Sequence, residues 1–394
     1  MVVLASINLL SVVLFIVALG LLVSIHELGH LITAKIFKVY CFEFSIGFGP
    51  KLFQKKGKGG ETDYSIRAIP LGGYVSMFGE TETIPEGVEV APERSLLAIA
   101  KWKRAIIMSA GVILNFVLGF VLMLCNTLFF PQVAYTNQVS VSEVINDETS
   151  EAYQAGLRTG DAIVGVTTHY LKDGLVSDEY TPVTYEVTTY EDLWDKALVV
   201  STLPTSEKDK LNITLTWIAK EDINKDNPAT TSHTFTLTSS IVNSDSEEVV
   251  YSWSKMGIGA YQTRLSFGKA FVRAGQDFWD AATAIAKALG QLFVGKGFDQ
   301  IGGPVAILTT SATALEVGFG TYLWLWGMIS VNLGIFNLLP FPGLDGWHLF
   351  VVIVEGITKK EIPSKVKNIV SLVGMIILFA FMGFILIKDI IGLF

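Results

Sequence analysis

Four stretches of about 20 apolar residues constrain this chain most strongly, at roughly 3–25, 105–130, 321–341 and 368–391. A helix needs about 20 such residues to cross the hydrocarbon core of a bilayer, and a helix satisfies its own backbone hydrogen bonds there. The expectation is therefore a polytopic α-helical membrane protein with about four transmembrane helices. Composition agrees: of 394 residues, 51% are hydrophobic and only 17% charged, which is unusual for a soluble chain of this size. The first stretch runs straight into a charged helical motif with no small-residue cleavage site, so it reads as a retained span rather than a removable signal.

Charge orients the spans. Residues 35–104 carry 11 Lys and Arg, and Lys359, Lys360, Lys365 and Lys367 crowd the short loop between the third and fourth stretches. By the positive-inside rule both loops face the cytoplasm. The long segment from about 132 to 300, with 13 basic and 23 acidic residues, then lies outside, as do both termini. Alternating runs at 139–144, 212–217 and 234–238 predict strands of a folded, mostly β domain. The polar stretches 169–190 and 220–232 read as surface loops or insertions. From Phe267 to Phe293 apolar residues return at helical spacing, the pattern of an amphipathic helix returning to the membrane or of a surface helix of the external domain. A net charge of -8 argues against a nucleic-acid partner. With only Cys41 and Cys125 there is neither a disulfide framework nor a Cys-rich metal site.

Any metal chemistry falls to His and carboxylates. His26-Glu27-Leu28-Gly29-His30 closes the first apolar stretch. On a helix the i and i+4 imidazoles share a face and reach one metal about 2.0 to 2.1 Å away. The adjacent Glu27 is placed to accept a proton from a water acidified by zinc to a pKa of about 7, which is hydrolytic machinery. Ionisable groups at this depth are costly and mark function. A catalytic zinc takes three protein ligands and keeps one open position, so a third ligand is needed. His169 and His233 fall in the external segment. Asp345 and His348 remain, in and just after Asn337-Leu338-Leu339-Pro340-Phe341-Pro342-Gly343-Leu344-Asp345-Gly346, where prolines and glycines break the third span. Asp345 would complete a His-His-carboxylate set; His348 either competes as a ligand or caps the broken helix. The rival readings are a non-catalytic scaffold, disfavoured by the retention of Glu27 with Asp345, and an ion transporter, disfavoured by polar residues gathered at only one side.

With these residues in place, the chain resembles the site-2 protease family of membrane metalloproteases, in its bacterial branch with one PDZ domain between the second and third spans. The resemblance is carried by HELGH at 26–30, SIGFGPKLF at 45–53, YSIRAIPLGGYVSMFGE at 64–80, GLRTGD at 156–161, IGGPVAI at 301–307 and NLLPFPGLDG at 337–346. It implies zinc held by His26, His30 and Asp345, with Glu27 as general base. It further implies that Asn337 positions substrate backbone, and that a membrane-associated β-hairpin around Gly72 and Gly73 offers an edge to an unwinding substrate strand. An extracytoplasmic α+β PDZ-like domain would screen substrates by size.

The domains expected are an N-terminal membrane region at 1–131, the PDZ-like domain at 132–264, an amphipathic connecting segment at 265–320 and a C-terminal membrane region at 321–394. The implied location is the bacterial inner membrane, with the active site toward the cytoplasmic side. The implied activity is regulated intramembrane proteolysis of single-span proteins, such as anti-sigma factors or signal-peptide remnants, after an earlier outer cut. Two features depart from the family pattern: Trp347 follows Gly346 where many relatives have a second glycine, and the PDZ-like region carries the polar insertions noted above.

Overall fold

The structure is a computed structural model that describes residues 8–57, 60–79, 89–134, 136–145, 148–172, 175–176, 183–193, 210–238, 240–241, 249–250, 256–297 and 301–391. The chain divides into two compact units, one of residues Met1–Phe130 with Ser266–Phe394, the other of Pro131–Leu265.

The first unit is helical. Its helices are α1 (Leu9–Ile36), α2 (Lys101–Phe129), α3 (Phe267–Phe293), α4 (Pro304–Val317), α5 (Phe319–Leu338), α6 (Asp345–Thr358) and α7 (Ser364–Ile391). Among the described residues α1, α2, α5 and α7 are long and apolar enough to cross a membrane, the four spans expected of a multi-pass membrane protein. A capping box starts α1: Ser11 N donates to Asn8 Oδ1 at 2.9 Å and Asn8 N donates to Ser11 Oγ at 3.0 Å, satisfying amides that a helix start leaves free. The helix continues past residue 25 through the whole HELGH motif because its histidines turn inward: His26 and His30 are buried.

In lipid no hydrophobic drive holds helices together, so small residues and hydrogen bonds must. Tyr322 donates its hydroxyl to Leu14 O at 2.9 Å and Trp326 donates Nε1–H to Ser311 Oγ at 3.2 Å, joining α1, α4 and α5. The helix α3 belongs to this unit, not to the external one: Phe278 stacks edge-on against Phe116 and Phe271 against Phe120, and Ala274 is fully buried. This removes its reading as a surface helix of the other unit. Asp389 near the end of α7 accepts from Gly303 N at 3.1 Å and Ala306 N at 3.0 Å. The carboxylate therefore caps the start of α4, where the helix dipole favours negative charge.

Between α1 and α2 run two long strands, β1 (Cys41–Lys56) and β2 (Asp63–Met77). Phe53, Gln54, Lys55 and Lys56 pair with Ile66, Ser65, Tyr64 and Asp63 to close a hairpin. Phe44, Ser45 and Ile46 then pair with Val75, Tyr74 and Gly73 on one side and with Tyr64, Ser65 and Ile66 on the other. The two strands thus fold over into four rows, with residues 73–77 forming an outer one. Glu43 locks three of these rows: it accepts from Ser65 Oγ, from Arg67 Nη2 at 2.9 Å and from Tyr74 OH at 3.0 Å. Burial pushes the Glu43 carboxyl up, but those hydrogen bonds and Lys51 prevail and hold it below the usual range.

The second unit is built on a sheet of β4 (Ala162–Lys172), β5 (Leu175–Val176), β6 (Val183–Glu186), β7 (Lys210–Ile218) and β8 (Thr230–Thr238), in the order β8-β7-β4-β5 with β6 also on β4; the short β3 (Val139–Val141) lies earlier in the chain and pairs with 258–260. Period-2 alternation sets its faces. Ile213, Leu215 and Trp217 point into the core with Val166 and Phe235, while Thr214 and Thr216 hydrogen-bond across to Thr234 and Ser232. Residues 169–172, expected to open a loop, instead extend β4, since His169 pairs with Asn212 and Leu171 with Lys210. The rest of 169–190 is partly β5 and β6, with 173–174 and 177–182 outside the described residues. In the turn after the one-turn helix Glu151–Gln154, buried Asp161 accepts from Arg158 N at 2.8 Å and Lys220 N at 2.9 Å.

Candidate metal centre

The helical spacing of His26 and His30 places their rings 5.0 Å apart, centre to centre, on the face of α1 turned toward α2. They fit there because α2 presents Gly111. A Cβ at that position would stand 2.7 Å from His26 Cε1 and Nε2, and one at Gly29 would meet the Ala110 carbonyl carbon at 2.7 Å. The two helix backbones approach closely at this crossing, the use to which membrane helices put small residues.

Asp345 arrives from the far end of the chain. Pro340 and Pro342 end α5, and Asp345 is the first residue of α6, where the helix dipole favours an acidic side chain. His26 Nε2 lies 2.8 Å from Asp345 Oδ2, His30 Nε2 lies 3.2 Å from the same oxygen, and the two Nε2 atoms lie 3.3 Å apart. Among the described residues, His26, His30 and Asp345 form the group whose donor atoms converge closely enough to hold a metal ion; His348, one turn further along α6, is not in it. Nor does His348 cap the helix: the N-cap residue is Leu344, with no side-chain cap bond.

The arrangement fits zinc. Ligand atoms about 2.0 to 2.1 Å from a tetrahedral centre are separated by roughly 3.3 Å, and the three observed separations are 2.8 to 3.3 Å. His30 Nδ1–H donates to Ile107 O at 2.8 Å, which leaves the Nε2 lone pair facing the cluster, as a ligating imidazole requires. His26 Nδ1 faces the side chain of Asn115 at 3.0 Å.

Glu27 is on the neighbouring face, beside the outer row of the sheet. Its carboxyl lies near the Val75 backbone, and a Cβ added at Gly73 would stand 3.5 Å from Glu27 Cγ. Gly72 is buried at φ +154°. Asn337 is half-buried in the last turn of α5, and among the described residues no hydrogen bond joins it to the cluster. The helix bearing Asp345 is fixed at its other end by Glu355, which is fully buried. Glu355 Oε1 lies 2.6 Å from Lys367 Nζ and accepts from Ile362 N at 3.1 Å, with Arg104 Nη1 3.8 Å from Oε2. Burial would raise this carboxyl, but Lys367, the Ile362 amide and Arg104 outweigh it and hold it below the usual range.

Sequence reasoning missed Gly111, Asn115, Ile107 and Val75. Asn115 had a signal, as a lone amide inside an apolar span; the backbone donors and acceptors had none.

A membrane-embedded H-E-x-x-H helix joined by a carboxylate from a second, broken helix defines a membrane metalloprotease. The chain belongs to Peptidase family M50, the site-2 proteases, whose family model matches residues 14–381, so the resemblance read from the motifs holds across the chain. A putative zinc metalloprotease of Clostridium perfringens is 31% identical over 383 residues, covering 95% of this chain and 96% of its own. The zinc metalloprotease RasP of Shouchella clausii is 28% identical over 455 aligned residues, covering 96% and 98%. The probable protease eep of Enterococcus faecalis is 26% identical over 440, covering 92% and 94%.

Proposed function

We propose that this enzyme cuts single-span membrane proteins within their apolar segment, with His26, His30 and Asp345 holding zinc and Glu27 acting as general base. The observation that carries the reading is the convergence of two imidazole nitrogens and one carboxylate oxygen beside Glu27, inside a span. Zinc, when bound, supplies Lewis acidity, lowering the pKa of a water to about 7 and polarising a carbonyl. Glu27 takes a proton from the attacking water as its oxygen adds to the scissile carbonyl carbon, and returns it to the amide nitrogen as the C–N bond breaks. The Val75 backbone beside it helps to hold the Glu27 carboxylate for both transfers.

A helical substrate hides its peptide bonds in its own hydrogen bonds, so it must unwind before the cut. The outer row at residues 73–77 is an edge to which an unwound strand can pair beside Gly72 and Gly73, and it runs next to Glu27. Asn337, at the end of α5, positions substrate backbone. The segment 132–264 forms a PDZ-like domain on the outer side, a reading supported by the compactness of Pro131–Leu265. It admits substrates whose outer part an earlier cut has shortened, such as anti-sigma factors or signal-peptide remnants. The basic loops support a position of the cluster toward the cytoplasmic side of the bacterial inner membrane.

The test uses the intact enzyme in liposomes with one reporter span, presented either with a folded outer domain or with that domain removed. Faster cleavage of the shortened reporter, mapped by mass spectrometry to its apolar segment, is the expected result. Equal cleavage of both, or cuts confined to the soluble flank, refutes the proposal.

A further inference from the structure

We propose that Asn115 is a positioning residue whose side-chain oxygen supports the metal-ligating tautomer of His26; the inference rests on the ligand reading above. To ligate through Nε2, an imidazole needs a lone pair there and therefore its proton on Nδ1. His30 meets this condition through the Ile107 carbonyl at 2.8 Å. Among the described residues no carbonyl takes that place at His26. Its Nδ1 faces the Asn115 side chain, with Nδ2 at 3.0 Å.

An asparagine amide offers a donor at one end and an acceptor at the other, in nearly the same volume. When it presents Nδ2, His26 Nδ1 accepts, the ring proton sits on Nε2, and Nε2–H donates to Asp345 Oδ2 at 2.8 Å. Asn115 Oδ1 is then buried without a hydrogen-bond partner among the described residues, a costly condition. Rotating the amide by half a turn presents Oδ1 instead. Nδ1–H then donates to Oδ1 and the Nε2 lone pair is free to ligate. Asn115 can serve both states without repacking, as neither a pure donor nor a pure acceptor can.

The residue is held for this role. It is wholly buried, Ser330 Oγ on α5 donates to its backbone carbonyl at 2.8 Å, and it lies one turn beyond Gly111, where α2 touches the imidazoles.

The experiment is the zinc affinity of the full-length protein in detergent, by competition with a chromophoric chelator, for wild type, Asn115→Asp, Asn115→Leu and His26→Ala. Asp keeps an acceptor against Nδ1; Leu keeps the volume and no polar atom. Removing such a partner of a ligating histidine weakens metal binding about 10- to 100-fold. That loss is expected for Asn115→Leu, while Asn115→Asp, which keeps the acceptor, stays nearer to wild type than Leu does. Asn115→Ala gives the same comparison if the Leu variant does not fold. If position 115 only fills space, Leu is tolerated and the buried charge of Asp is harmful; that reversed order, or equal affinity in all variants, overturns the proposal. If wild type binds no zinc, or His26→Ala binds it as wild type does, the ligand reading itself fails and this proposal with it.

Discussion

Replacing Gly111 by Ala puts a methyl group against both imidazoles. The added Cβ would stand 2.7 Å from His26 Nε2 and closer still to His30 Nε2, whereas ordinary contact begins at 3.4 Å, so ring or helix must yield by more than 0.7 Å (3.4 minus 2.7). Overpacking of this kind costs about 1–3 kcal/mol, partly offset by about 1 kcal/mol of helix propensity. A displacement on the order of 1 Å at a reacting centre costs about 100-fold in rate. Gly119→Ala is the matched control on the same helix. Its Cβ would meet Val331 Cγ2 at 2.7 Å and Gly327 O at 2.9 Å, a milder clash, made with α5, and its nearest contacts include no histidine. Thermal melting in detergent should show a loss for both variants. Cleavage of a single-span reporter should fall about 100-fold only for Gly111→Ala, with weaker zinc binding. Turnover and zinc affinity of Gly111→Ala equal to those of Gly119→Ala would refute the reasoning.

Other consequences follow from the same packing. Glu355→Gln leaves Arg104 and Lys367 without a counter-charge and should cost about 3 kcal/mol at neutral pH. Because the folded-state pKa of Glu355 lies below its unfolded value of about 4.3, the stabilisation is present above that value and fades as pH falls through the folded one. The melting-temperature gap between wild type and Glu355→Gln should therefore be widest near neutrality and close in acid; a gap independent of pH contradicts it. Asp389→Ala removes the cap of α4 and should cost about 1 kcal/mol in melting experiments with zinc affinity unchanged.

The residues that carry charge or break helices in an apolar context were legible in the sequence, because few alternatives explain them. His26, Glu27, His30 and Asp345 stand out for the cost of placing ionisable groups at membrane depth, and the four spans follow from length and hydropathy alone. The helix α4 escaped because its 14 residues are too few to span, so they merged with the connecting segment expected at 265–320. Four rows rather than a plain hairpin could not be read because the fold-over depends on turns at Gly47 and Gly49, both with φ above +80°, and glycine does not announce which way a chain will bend. Gly111 and Asn115 matter only through what α1 places against them. That relation is tertiary, invisible to periodicity.

The central claim is that the cluster and Glu27 together hydrolyse a peptide bond. It is tested most directly by incubating purified protein with single-span reporters, comparing wild type, wild type with a zinc chelator, and Glu27→Gln, with bound zinc measured in each. Wild type should cleave, with activity restored after chelation by added zinc, and Glu27→Gln should not cleave although it still holds one equivalent of zinc. Cleavage by Glu27→Gln near the wild-type rate, or cleavage undiminished by the chelator, would contradict it.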